Sequence, residues 1–225
     1  IKSRLVRWAV RRSDAVLPCG SLGQQYFEKY GADPTKIFWM PYEPDYGLIQ
    51  SVSPEQIAAV RQRFNLPAER RRMVYSGRLI AIKRVDLLLR AFAGAAPDRP
   101  EWDLVIVGDG PERAALAASV SPALASRVRW TGFLDDQVTV SAIYRASDLL
   151  VHPSDIEPWA LVINEAVAAG MAVVASDAVG AAAELVRDGV NGKLFPAGDL
   201  NALREALSDA TSPAHIDTYR SASAD

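Results

Sequence analysis

The sequence holds one cysteine, two histidines and no excess of either charge, and each scarcity removes a class of function. Cys19 has no partner for an internal disulfide and no companions at metal-ligand spacing, so it reads as a buried thiol in a reducing compartment. The 25 Lys and Arg against 27 Asp and Glu, a net charge of −2, offer no general attraction to nucleic acid or to an anionic membrane. The expected partner is a small ligand, with no nucleic acid. No stretch approaches the roughly 18 uninterrupted apolar residues of a membrane-spanning helix, and the apolar runs, such as Leu149 to His152, are short. The start at Ile1, with neither an initiator methionine nor a charged-then-apolar leader, leads us to expect part of a longer protein.

What is present is material for a core: 49% hydrophobic and 23% charged residues in 225, enough for between one and two domains. From Arg72 onward, short apolar runs alternate with amphipathic segments, the rhythm of parallel strands joined by helices. Strands are expected at Met73–Ser76, Asp103–Val107, Val128–Thr131, Leu149–His152, Ala172–Ala175 and Lys193–Phe195. Between them fall helices over Val85–Phe92, from Glu112, near Val138–Arg145, over about Ala160–Ala169, over Ala181–Arg187, and from an N-cap at Asp199. The fold class is therefore α/β, a Rossmann-like parallel sheet flanked by helices, whose right-handed crossovers bring the loops after the strands to one edge. The earlier part differs. A basic helix to Arg12, a strand Asp14–Leu17, a helix Ser21–Tyr30, a strand Lys36–Met40 and a linker at Pro41–Pro44 read as the closing part of another domain. The expected division is 1–45 and 46–225.

The candidate chemistry falls on that edge. Glu157 and Glu165 stand eight positions apart, off one face of a single helix. With Glu157 in the loop and Glu165 in the helix, both carboxylates can reach one cleft, and suit sugar and ribose hydroxyls. The free amides of Trp159, Ala160, Leu161 and Val162 at the helix start favour phosphate. The bland alternative is a pair of solvated glutamates at a helix entrance. After the first strand, Gly77 allows a tight turn, and Arg78 and Lys83 offer a planar fork and a compact charge to a diphosphate. Two surface cations near a helix start are the alternative, although positive charge there opposes the helix dipole. Gly108-Asp109-Gly110-Pro111 lacks the third glycine of a dinucleotide fingerprint and reads as a tight turn with Pro111 opening a helix. Phe133 and Leu134, after Gly132, offer a wall to a nucleobase, with core packing the equal alternative for Phe133. His152 reads as a packed polar residue. Asp135-Asp136 reads as a helix start, and no metal site is expected.

In order, SGRL with Lys83, VGDGPE, TGF, DLLVHPS, the two spaced glutamates, EAVAAG, VVAS and ELVRDGVNGKLF resemble the family-four retaining glycosyltransferases (glycosyl transferases group 1) over roughly Met73–Ala210. The resemblance implies the C-terminal donor-binding domain of the two-Rossmann-domain GT-B fold, preceded by a remnant of the acceptor domain. It implies catalytic roles for Arg78 and Lys83 on the diphosphate and for Glu157 on the sugar. Donor binding would fall to Gly77, Phe133, Leu134, Ala160, Leu161, Val162 and Glu165, the last on the ribose. It also implies retention without a metal or other cofactor, a UDP- or GDP-linked sugar as substrate, and a glycan, lipid or small-molecule acceptor held by a missing N-terminal domain. The location implied is cytoplasmic or at the inner face of a membrane through that domain. Trp159-Ala160 stands where the family usually has Phe-Gly, Gly180-Ala181 where it has Gly-Gly, and Met171-Ala172 where a proline follows the glycine. The extra methyls bear on the width of the phosphate pocket. A non-catalytic nucleotide-sugar-binding module and a nucleotide-sugar epimerase are the competing readings.

Overall fold

The computed structural model describes residues 2–224. In chain order the elements are α1 (Lys2–Arg12), α2 (Ser21–Lys29), α3 (Tyr46–Gln50), α4 (Pro54–Arg63), β1 (Arg71–Ser76), α5 (Val85–Ala95), β2 (Trp102–Val107), α6 (Arg113–Ser119) and β3 (Val128–Gly132). They continue with α7 (Gln137–Arg145), β4 (Leu149–His152), α8 (Leu161–Ala168), β5 (Ala172–Ser176), α9 (Gly180–Leu185), β6 (Gly192–Phe195), α10 (Leu200–Ala210) and α11 (Ile216–Ala224). The six strands form one sheet in the order β3-β2-β1-β4-β5-β6, every neighbouring pair parallel. Strand order therefore reverses between β1 and β4, and the loops leaving both open at that point.

The strands are continuous apolar runs because both sheet faces are covered. On one face Met73, Tyr75, Leu104, Ile106, Leu149, Val151 and Val174 pack with Leu88, Phe92, Leu203 and Leu207. On the other Val74, Val105, Leu150 and Val173 pack with Val60, Ile143, Ile163 and Ala182. Burying each large side chain of this kind contributes roughly 1.5–3 kcal/mol before the entropy of ordering is set against it.

Most expected elements stand within a residue or two, and the differences are instructive. The strands expected at Asp14–Leu17 and Lys36–Met40 reduce to a single parallel bridge, Val16 with Ile37. Backbone bonds Val16 N to Lys36 O (2.9 Å) and Phe38 N to Val16 O (3.0 Å) hold it, but Pro18 has no amide to extend a ladder. Residues 2–37 have their own small cluster around Val10, Val16 and Ala32. Between residues 46 and 63, where no element was expected, α3, α4 and the turn joining them lay Ile49, Val60 and Val52 on the sheet domain. The missed signal is a capping box: the Ser53 hydroxyl accepts from Gln56 N, and the Gln56 side chain accepts from Ser53 N at 2.8 Å. The last helix, α11, was also unforeseen; Ile216 and Tyr219 bury against the core. Pro111 does not open α6, which starts at Arg113; it sits in the preceding turn. Asp136 and Asp199 cap α7 and α10 as expected, each accepting from two backbone amides.

Candidate functional site

At the carboxyl ends of β1 and β4 a cleft of about 520 Å³ gathers Gly77, Arg78, Lys83, Glu157, Ala160, Leu161 and Val162. Tyr42, Ser76, His152 and Trp159 join them. The turn after β1 is held from below: the buried Tyr75 hydroxyl donates to the Arg78 carbonyl at 2.9 Å. It is held from the side by Gly77 N to Val107 O (3.0 Å) and Leu79 N to Asp109 O (2.9 Å). This close approach explains the glycines after β2. A Cβ on Gly108 would stand 2.0 Å from the Gly77 carbonyl oxygen, and one on Gly110 would stand 2.4 Å from that of Leu79. They shape the backbone rather than contact a ligand.

Lys83 and Glu157 form an ion pair across the cleft. The Lys83 segment is pinned to the loop after β4 by Asp155 N to Ile82 O (2.9 Å) and by Arg84 on Asp155 (3.0 Å). The Glu157 backbone is bridged to the loop after β5, with Glu157 N on Ala178 O and Gly180 N on Glu157 O. Burial, then the charge of Arg78, pushes the Lys83 ammonium below its ordinary pKa; Glu157 opposes that by favouring the charged form. Arg78 is exposed and has no carboxylate partner among the described residues. Next to the pair lies His152, fully buried, its ring stacked parallel to Tyr75 with centroids 5.9 Å apart. Its Nε2 lies 3.2 Å from Ser154 Oγ and 3.6 Å from Glu157 Oε2. Burial, reinforced by Lys83, drives its pKa down to about 3, so it is neutral at physiological pH.

Ala160 turns the chain into α8 with φ +75°, a left-handed conformation that costs an alanine about 1–2 kcal/mol. Its side chain caps nothing, so the first amides of α8 open toward the cleft without a capping acceptor. The loop stays this tight because Gly180 lies against it: a Cβ there would stand 2.1 Å from the Pro158 carbonyl oxygen. Trp159, which stands where the family usually has Phe, is nearly buried, and its Nε1 donates to Tyr42 O at 2.9 Å. It ties the segment read as a linker to the floor of the cleft.

Three predicted residues lie apart from this gathering. Glu165 lies on the buried face of α8 and does not line the cleft. Its carboxylate accepts from Gln137 Nε2 at 2.9 Å, and burial raises its pKa against the hydrogen bonds from Gln137 and Tyr144. Phe133 is 75% exposed, which excludes core packing for it. Leu134 is half-buried at the edge of one core cluster. Among the described residues, no group of three His, Cys, Asp or Glu gathers as metal ligands, and no helix is long and apolar enough to cross a membrane.

A doubly wound parallel sheet with Arg78, the Lys83–Glu157 pair and open helix amides at its switch point has the arrangement in which α/β domains commonly bind nucleotides or phosphates. Residues 70–212 match the family described as glycosyl transferases group 1, and the chain belongs to that family. A D-inositol 3-phosphate glycosyltransferase of Catenulispora acidiphila is 34% identical over 181 residues, 76% of this chain and 41% of that protein. An exopolysaccharide phosphotransferase of Streptomyces coelicolor is 39% identical over 137 residues, 60% of this chain but 14% of its own length. Among solved structures, Anabaena HepE in complex with UDP superposes with a TM-score of 0.84 at 26% identity, covering 100% of this chain and 62% of HepE. Sucrose-phosphate synthase of Thermosynechococcus elongatus superposes at 0.81 with 26% identity, over 99% of this chain and 55% of its own. The architecture is that of the GT-B glycosyltransferases, and the chain spans less than two thirds of the length of these relatives.

Proposed function

We propose that the chain binds the donor in a glycosyltransferase that moves a sugar from a nucleoside diphosphate to a hydroxyl acceptor, with retention and without a metal. The convergence of Arg78, Lys83, Glu157 and the open amides of α8 on one cleft carries this reading. As the anomeric bond breaks, negative charge grows on the departing diphosphate. Fixed cations and helix amides at that position stabilise the transition state more than the ground state. A diphosphate entering the cleft competes with Glu157 for Lys83, freeing the carboxylate for the sugar hydroxyls. Glu165, held by Gln137, is assigned to the ribose, and Phe133 with Leu134 to the base, UDP- or GDP-type. HepE, crystallised with UDP, with UDP and glucose and with UDP-glucose, supports a uridine donor. The acceptor, a glycan, lipid or small molecule, belongs to an N-terminal domain in a cytoplasmic protein or one at the inner membrane face. Residues 1–45 are assigned to that domain and 46–225 to the donor domain.

Calorimetric titration with UDP, GDP and ADP, with and without magnesium, tests the reading. Saturable binding of one of them that magnesium does not change is the expected result. Arg78→Ala should weaken it by about 1.5–3 kcal/mol, the worth of hydrogen bonds to a charged group. Binding that needs magnesium, or that ignores Arg78, would overturn the assignment.

A further inference from the structure

We propose that the amino-terminal end of the sheet carries a second anion site, shaped for a single phosphate-type group and separate from the donor cleft. A cavity of about 200 Å³ opens where β1 begins, beside the carboxyl ends of α4 and α7. Arginines Arg61, Arg70, Arg71, Arg72, Arg145 and Arg220 line it, with Glu69 and Asp148. Part of this charge is neutralised. Arg70 pairs with Asp103 at 2.7 Å, Arg71 with Asp148 and Asp217 at 2.8 and 2.9 Å, and Arg220 with Asp148 at 3.1 Å.

The remainder is not. The Arg72 side chain is buried and makes no carboxylate pair; its Nε and Nη1 donate to the carbonyls of Ala146 and Pro67, both at 2.6 Å. Burial lowers its pKa, Asp148 opposes that, and neighbouring Arg61 adds to it. Arg61 presents a buried Nε with no hydrogen-bond partner. Neither Arg61 nor Arg145 is in an ion pair among the described residues. The carboxyl ends of α4 and α7 supply partial negative charge, which makes arginines tolerable here. Two carbonyls on Arg72 nevertheless leave three guanidiniums facing one polar cavity with no ion pair of their own among the described residues.

Guanidinium forks match the oxygens of a phosphate in a plane, and a buried cation without a counter-charge favours an anion that supplies one. The volume is below the roughly 300 Å³ at which pockets begin to hold drug-sized ligands. A nucleotide sugar is thereby excluded, while inorganic phosphate or the head of a phosphate monoester fits.

The test uses the Arg78→Ala chain, in which the donor cleft is weakened, and follows phosphorus NMR during titration with inorganic phosphate and with glycerol 3-phosphate; only binding that responds to the arginines of this cavity counts for it. We expect saturable binding that weakens at least tenfold in an added Arg61→Gln/Arg145→Gln pair, with the folded circular dichroism spectrum kept. Tighter binding of inorganic phosphate would assign the site to the free anion, and tighter binding of glycerol 3-phosphate to a monoester. Arg145→Gln alone, at an exposed side chain, should weaken binding severalfold even if the double variant fails to fold. Absence of saturation with both probes, or binding indifferent to Arg145, would overturn the proposal.

Discussion

At the carboxyl end of the sheet, β1 and β2 give way to a glycine of positive φ, Gly77 at +151° and Gly108 at +125°, and β3 ends on one, Gly132 at +73°. At the amino end, β1 begins instead with arginines whose side chains reach across to the carbonyls of Pro67 and Ala146 and to aspartates. The first end brings backbones close, with cations gathered around an open cleft; the second lines a smaller cavity with long side chains, of which Arg70, Arg71 and Arg220 are held in ion pairs. Binding needs groups whose partners are supplied by the ligand, while stability needs groups already satisfied. The cleft's close ion pair, Lys83 with Glu157, joins two residues assigned to the ligand itself.

The comparison breaks most sharply at Gly108. Adding a Cβ 2.0 Å from the Gly77 carbonyl oxygen, at a φ that L residues rarely adopt, should lower stability by roughly 3 kcal/mol or more. Gly189, in the turn before β6 at the other end, also has positive φ but nothing within 4 Å of an added Cβ, so Gly189→Ala should lose only about 1 kcal/mol. Equal losses in urea titrations of the two variants would show that packing does not distinguish the ends.

His152 sharpens the contrast through pH. Its folded pKa of about 3 lies below the unfolded value near 6.5. The unfolded chain therefore binds the extra proton first as pH falls. Stability contributed by the neutral ring is present above about pH 6.5 and declines below it, by at most about 1.4 kcal/mol per unit, until pH approaches the folded value. Lys83 and Glu157 face the same ring. His152→Phe should flatten the decline between pH 6 and 4; parallel profiles for the two proteins would refute a buried neutral histidine.

An effect as small as that of Gly189→Ala, and opposite in sign, is expected at Ala160. Ala160→Gly removes the cost of a left-handed alanine and should raise the unfolding free energy by about 1 kcal/mol. An unchanged midpoint would mean that the turn relaxes when the methyl is present.

The strands were legible because each is a short apolar run bounded by glycine or a polar turn, and a parallel sheet covered on both faces demands such runs. Arg78, Lys83 and Glu157 were legible because each follows a strand at the edge where such sheets bind ligands. Residues 46–63 were not, since their signal is the capping box at Ser53 and Gln56 rather than apolar periodicity. The indole bond of Trp159 to Tyr42 joins positions 117 residues apart, which no local pattern encodes.

The sequence by itself determined the alternation of strands and helices, the family, and the residue types at the cleft, because periodicity, turn residues and short motifs act over a few positions. Only the tertiary structure decided that Lys83 meets Glu157, that Glu165 lies on the buried face of α8 and Phe133 stands in solvent, and that arginines from α4, β1 and α7 enclose one cavity. Burial and charge proximity are properties of distant segments brought together, and they set the electrostatics on which binding depends.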